Sequence, residues 1–136
     1  MNARLYKSMW RIALTVWLFA LAVSLNAAWA NPVVSLVFAG DSTLDDDAGD
    51  LIAKGGDPFA DFATYFAGAD IRITNLECVV ATKGAAADKM YTFRAHPRVI
   101  PVLKKHFDAV TLANNHSGDF GPEAFAGMLK LLKIGR

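Results

Sequence analysis

The sequence predicts an α/β fold built on a mainly parallel sheet, and three observations predict it. Segments 33–40, 70–80 and 108–115 are rich in apolar and β-branched residues and read as strands. Segments 57–69, 97–107 and 121–135 have a helical spacing of apolar side chains and alternate with the strands. Each strand also ends in polar residues, as strands do when their carboxyl ends border a ligand crevice. A β-α-β-α-β-α order of this kind places the strands parallel, with helices covering at least one face.

The elements follow in order. "MNARLYKSMWR" carries Arg4, Lys7 and Arg11 and no acid, and a largely apolar run of 14 residues, 12–25, comes next. Ala28-Trp29-Ala30 closes the region with small residues at the positions a signal peptidase reads. The apolar run is shorter than the roughly 20 residues that span a bilayer as a helix. Residues 1–30 are therefore expected to be a secretory signal peptide cleaved after Ala30, with an uncleaved anchor as the alternative. The mature chain, 31–136, begins with the strand "VVSLVFAG", expected to be buried, and an acidic loop, "DSTLDDDAGD".

Phe59, Phe62, Ala63 and Phe66 share one helical face in 57–69, with Asp57 as N-cap and Pro58 in the first turn. "DIRITNLECVV" is the second strand, and a long loop with Gly84 at its middle leads to "FRAHP". The helix in 97–107 contains Pro101, so it is expected to start near that residue or to kink there. "DAVTLANN" is the third strand. The last helix has Pro122 and Glu123 in its first turn and Gly135 past its end.

Composition bounds the function. The 136 residues suffice for one domain at most, and 54% hydrophobic with 20% charged residues excludes a disordered or fibrous class. The net charge of +1 gives no bias toward nucleic acid. Without Arg4, Lys7 and Arg11, the remaining 11 basic and 13 acidic residues leave −2. Cys78 is the only cysteine, so no internal disulfide forms, and its apolar neighbours mark it as a small buried hydrophobe. His106, next to Lys104 and Lys105 at a helix end, reads as solvated.

The strand ends carry the chemistry. Asp41 ends the first strand, Asn75 and Glu77 the second, and Asn114, Asn115 and His116 the third. Two carboxylates, amide oxygens and an imidazole suit a divalent cation, and the imidazole admits Zn, Fe or Mn. His116 serves equally as a ligand or as a general acid. A second reading fits the same residues: Asp41 and Asn114 cap turns and His116 bonds backbone. Gly118 and Gly121 supply the turn after the third strand, so Asn115 and His116 are expected to belong to a site and not to determine the fold.

The same residues carry a family resemblance. "FAGD", "ADIRITNLE", "YTFRAHP" and "FDAVTLANNHSGDFGPE", in this order from about Val33 onward, resemble the CapA-type poly-γ-glutamate capsule synthesis proteins. That family is similar to the calcineurin-like metallophosphoesterases. The resemblance implies a metallophosphatase-like α/β sandwich with flanking helices. It also implies a divalent metal ion of unassigned identity, held by Asp41, Asn75, Glu77 and Asn115, with His116 as the catalytic imidazole. Arg94 of "FRA" matches a family arginine and is assigned to orient an anionic substrate group. The chain departs from metallophosphoesterases at Thr43, where they carry a ligand histidine.

The family also has later histidine-bearing motifs, so residues 31–136 are expected to be the N-terminal portion of a CapA-like domain whose site is incomplete here. The function implied is an exported, periplasmic or otherwise extracytoplasmic role in capsule or poly-γ-glutamate production, with metal-dependent hydrolase ancestry. A non-catalytic component that holds an anionic polymer or a partner in the biosynthetic complex is the alternative. Membrane contact is expected only through the signal or anchor.

Overall fold

A computed structural model describes residues 3–27 and 33–134. The expected cleavage after Ala30 and the expected stop at Gly135 lie outside the described residues. The chain divides into two units, Met1–Val33 and Val34–Arg136. In the first, helix α1 (Ala3–Ala27) covers the basic start and the apolar run. No helix among the described residues is long and apolar enough to cross a membrane.

The second unit is α/β with a parallel sheet, as the sequence predicts. Strands β1 (Leu36–Ser42), β2 (Ile71–Leu76) and β5 (Ala109–Thr111) form a parallel sheet in the order β1-β2-β5. Strands β3 (Val79–Val80) and β4 (Arg94–Ala95) form a second parallel pair. Helices α2 (Asp46–Ala53), α3 (Ala63–Phe66), α4 (Ile100–His106) and α5 (Pro122–Ile134) complete the unit.

Several expectations are corrected in detail. The acidic loop contains α2: Asp46 and Asp47 sit in its first turn, where the helix dipole favours negative charge, and Ile52 anchors it in the core. Segment 57–69 is not one helix. It forms a 3-10 turn over Ala60–Phe62 and then the single turn of α3, because Phe59 and Phe66 lock edge-on against Phe107. Segment 70–80 breaks into β2 and β3, which belong to different sheets. Pro101 lies in the first turn of α4, where its missing N–H has no helical partner to lose, so the helix starts there without a kink.

The core gathers around the β2–β3 segment. Leu76, Cys78, Val79 and Val80 are fully buried, with Val99, Leu103 and Met128 packed among them. Cys78 is the buried hydrophobe expected of it, and burial pushes its thiol up to about 11, so it stays protonated.

β1, by contrast, is not buried. Paired residues of a parallel sheet share a face, so Leu36, Phe38, Ile71 and Ile73 lie together. Leu36, Phe38 and Ile71 are exposed there, Phe38 at 71%, although Ile71 belongs to the central strand, so this face of the sheet is left open to solvent.

His106 is also buried, at 5% exposure, in contradiction of the solvated reading. It stacks beside Phe59 and Phe66, and its Nε2 lies 2.8 Å from Asp57 Oδ2. The sheet is clamped at the amino ends of its strands. Arg72 donates to both oxygens of Asp108 at 2.9 Å, and Ser35 N donates to Asp70 Oδ2 at 2.8 Å.

Candidate functional site

A bulge decides where Asp41 stands. Phe38 pairs with Ile73, but Asp41, and not Gly40, pairs with Asn75. One extra residue in β1 therefore turns Asp41 onto the face of Asn75. Gly40 supplies the bend at φ +74°, a conformation that L side chains disfavour. Thr74 fixes it by donating to Gly40 O at 2.8 Å, while the Ser42 hydroxyl meets the Thr74 hydroxyl at 2.7 Å.

Asn75 joins all three strand ends. Its amide nitrogen donates to Asp41 Oδ1 at 2.8 Å and to Glu77 Oε2. Its carbonyl oxygen accepts from Thr111 Oγ1 and from Asn114 Nδ2, both at 3.0 Å. Asn114 also donates to Leu76 O at 2.9 Å. Its own Oδ1 accepts from His116 N at 2.9 Å and from Ser117 Oγ at 3.1 Å. Asn114 is thus the turn cap of the second reading, and it ties the turn after β5 to the end of β2.

His116 is buried in that turn at 9% exposure, its ring 4.3 Å from that of Phe93. Its Nδ1 lies 2.7 Å from Asp119 Oδ2, and its Nε2 lies 4.0 Å from Glu77 Oε1. Asp119 is 1% exposed. It accepts from Phe93 N at 2.7 Å, and the Lys89 ammonium pairs with its other oxygen. Burial works against the Asp119 charge, but hydrogen bonds from Lys89, His116 and Phe93 N outweigh it and hold the carboxyl below its usual range.

Asp41, Asn75, Glu77 and His116 therefore stand together at the carboxyl edge of the sheet. Asn115 shares that edge; it is exposed, and its backbone oxygen accepts from Lys89 Nζ at 2.7 Å. Arg94 is not brought into the group. Its guanidinium lies 4.3 Å over the Phe120 ring and donates to Gly84 O at 3.4 Å. Gly84 and Phe120 line an open cavity of about 800 Å³ whose walls include none of the other five residues.

The donors suit a hard cation in kind: two carboxylates converge on one point and an imidazole presents an unbonded nitrogen beside them. They form part of such a site and not a closed one. The Asn75 amide lies between the carboxylates, and among the described residues no three His, Cys, Asp or Glu side chains form a ligating cluster.

Sequence reasoning passed over Asp119, Lys89 and Phe93. Asp119 had a signal, since His116 and Asp119 are three apart in a glycine-containing turn, a spacing that lets side chains meet. Lys89 and Phe93 had none, because a loop's return path leaves no periodicity.

A comparison with curated proteins gives no match. Residues 35–134 match the family described as bacterial capsule synthesis protein, PGA_cap, over the sheet, the site and helix α5 alike. The match covers well over half of the sequence, and the chain belongs to the bacterial capsule synthesis protein family.

Proposed function

We propose that this capsule-synthesis protein acts outside the cytoplasm, after export on residues 1–30, as a metal-dependent hydrolase of capsular polymer such as poly-γ-glutamate. The observation that carries this reading is the Asn75 amide, which brings Asp41 and Glu77 to a common point beside His116. Asp41, Glu77, Asn75 and Asn115 would hold the divalent cation. When bound, such an ion activates a water and polarises the ester or amide bond to be cut.

The chain's own residues supply the rest. His116, held through Nδ1, takes or gives a proton at Nε2. Asn75 keeps the two carboxylates from drifting apart. Arg94, beside the separate cavity, would engage an anionic stretch of polymer away from the reacting bond.

One observation favours a second reading, a non-catalytic polymer-binding or assembly component. The position between the carboxylates is already filled by the Asn75 amide, which satisfies both without a metal.

Titration calorimetry of the chelator-treated full chain with Mn²⁺ and Zn²⁺ separates the two. The hydrolase reading expects one saturable cation site, lost in Asp41→Asn and in Glu77→Gln, with cation-dependent cleavage of a γ-glutamyl oligomer. Polymer binding with no cation site and no cleavage would establish the second reading instead.

A further inference from the structure

Segment 81–93 has no strand or helix of its own, yet it is fastened repeatedly to the turn that carries His116. Ala87 N donates to Asp119 O at 2.7 Å, and Phe93 N donates to the Asp119 carboxylate. Lys89 reaches both Asn115 O and Asp119. Gly84 sits so close to Phe120 that any Cβ there would collide with the Phe120 carbonyl. The segment is a strap drawn across residues 115–120.

Its charged residue is placed with a consequence. Asp119 is buried and has two oxygens. One is occupied by the Lys89 ammonium, which leaves the other turned to His116 Nδ1 and Phe93 N. A carboxylate only accepts hydrogen bonds, so the proton of a neutral His116 must sit on Nδ1. The lone pair is then on Nε2, the nitrogen that faces Glu77. Without the ammonium, the Asp119 carboxylate is free to turn, or to take up a proton and become a donor itself. Either change admits the other tautomer. Asp119 is buried while the Lys89 side chain stays 33% exposed, so the ammonium compensates a buried charge without being buried itself.

We infer that Lys89 is a positioning residue for His116: by pinning Asp119 from the strap, it fixes the imidazole as the Nδ1–H tautomer with Nε2 open toward Glu77. The inference deepens the proposed function and rests on the reading of His116 as that site's imidazole. Its test needs neither metal nor substrate, so it can fail while the hydrolase reading stands, and the reverse.

The test is nitrogen-detected NMR of the ¹⁵N-histidine-labelled full chain without metal, at a pH where His116 is neutral. Wild type is expected to show a pyridine-like Nε2 and a pyrrole-like Nδ1 for His116. Lys89→Met, which keeps the stem and drops the charge, is expected to move both resonances toward the average of a mixed population. Lys89→Arg is expected to restore the wild-type pattern, which a purely mechanical tether would not require. Asp119→Asn, whose amide can donate, is expected to raise the Nε2–H form. An Nε2–H tautomer in the wild type overturns the inference. So does an unchanged Nδ1–H pattern in a folded Lys89→Met chain. Should Lys89→Met fail to fold, Lys89→Gln and Asp119→Asn decide by the same two resonances.

Discussion

Asp41 and Asn75 face each other across β1 and β2, and the Asn75 amide donates to Asp41 Oδ1 at 2.8 Å. The same amide donates to Glu77, so one neutral group bridges two carboxylates. Asn75→Asp replaces that donor with a third carboxylate. Asp41 is exposed and Glu77 half-buried, so the expected result is a loss of about 1–2 kcal/mol at neutral pH, the scale of hydrogen bonds to charged groups at a partly solvated edge. Added Mn²⁺ should recover most of it, since a cation satisfies all three. Urea denaturation with and without Mn²⁺ checks both statements.

The bulge that turns Asp41 toward Asn75 depends on Gly40 at φ +74°. Nothing lies within 4 Å of a Cβ built there, so a substitution meets backbone strain and no steric clash. Gly40→Ala is expected to cost about 1–2 kcal/mol, the left-handed penalty for an L residue, and Gly40→Asn less. Denaturation midpoints for the two variants give the comparison. Equal loss in both would show that the bulge is held by something other than the φ angle.

How much of this was legible in the sequence depends on whether the cause is local. The three parallel strands and the convergence of Asp41, Glu77 and His116 on one edge follow from apolar runs that end in polar residues. β1 was misread as buried because its composition, Val33 to Phe38, is that of an interior strand, whereas its exposure is set by a sheet face left open to solvent. His106 was misread because its three-residue neighbourhood is basic, while its burial comes from Phe59, Phe66 and Asp57, some forty or more positions away. Arg94 carries the motif match for a substrate-orienting arginine, and its place over Phe120, while neighbouring Phe93 meets His116, comes from the path of the long loop, which leaves no periodicity to read.

Asp57 makes stability sensitive to acid. Burial acts against its charge, but hydrogen bonds from Lys105 and His106 outweigh it and bring the carboxyl from 3.8 to about 2. A depressed folded-state value stabilises the fold above the unfolded value, and the contribution is lost as pH falls through the folded one. The fold should therefore weaken between about pH 4 and pH 2 beyond what general acid titration gives. Asp57→Asn should flatten that part of the profile and lower stability at pH 6 by about 1 kcal/mol, as for a partly screened pair. Urea midpoints measured from pH 6 to pH 2 on both proteins test the difference.

Asn115 and His116 are adjacent, and the structure gives them opposite standing in the fold. The Asn115 side chain is exposed, and only the residue's backbone oxygen is engaged, by Lys89. His116 is 9% exposed, stacks on Phe93 and closes the Asp119 network. Burial and contacts therefore predict a cheap removal for the first and a costly one for the second. Asn115→Ala should change the unfolding free energy by no more than about 0.5 kcal/mol, as at surface positions away from networks. His116→Ala removes a buried ring and strips the Asp119 carboxylate of a donor, and should cost about 2–3 kcal/mol. His116→Gln keeps a side-chain donor and should recover part of that loss, which distinguishes the hydrogen bond from the packing. Cation uptake gives the second axis. If Asn115 contributes a ligand, Asn115→Ala should weaken Mn²⁺ binding at least about tenfold while leaving the urea midpoint in place. A variant that leaves both binding and stability unchanged would remove Asn115 from the site and leave Asp41, Glu77 and His116 as its donors.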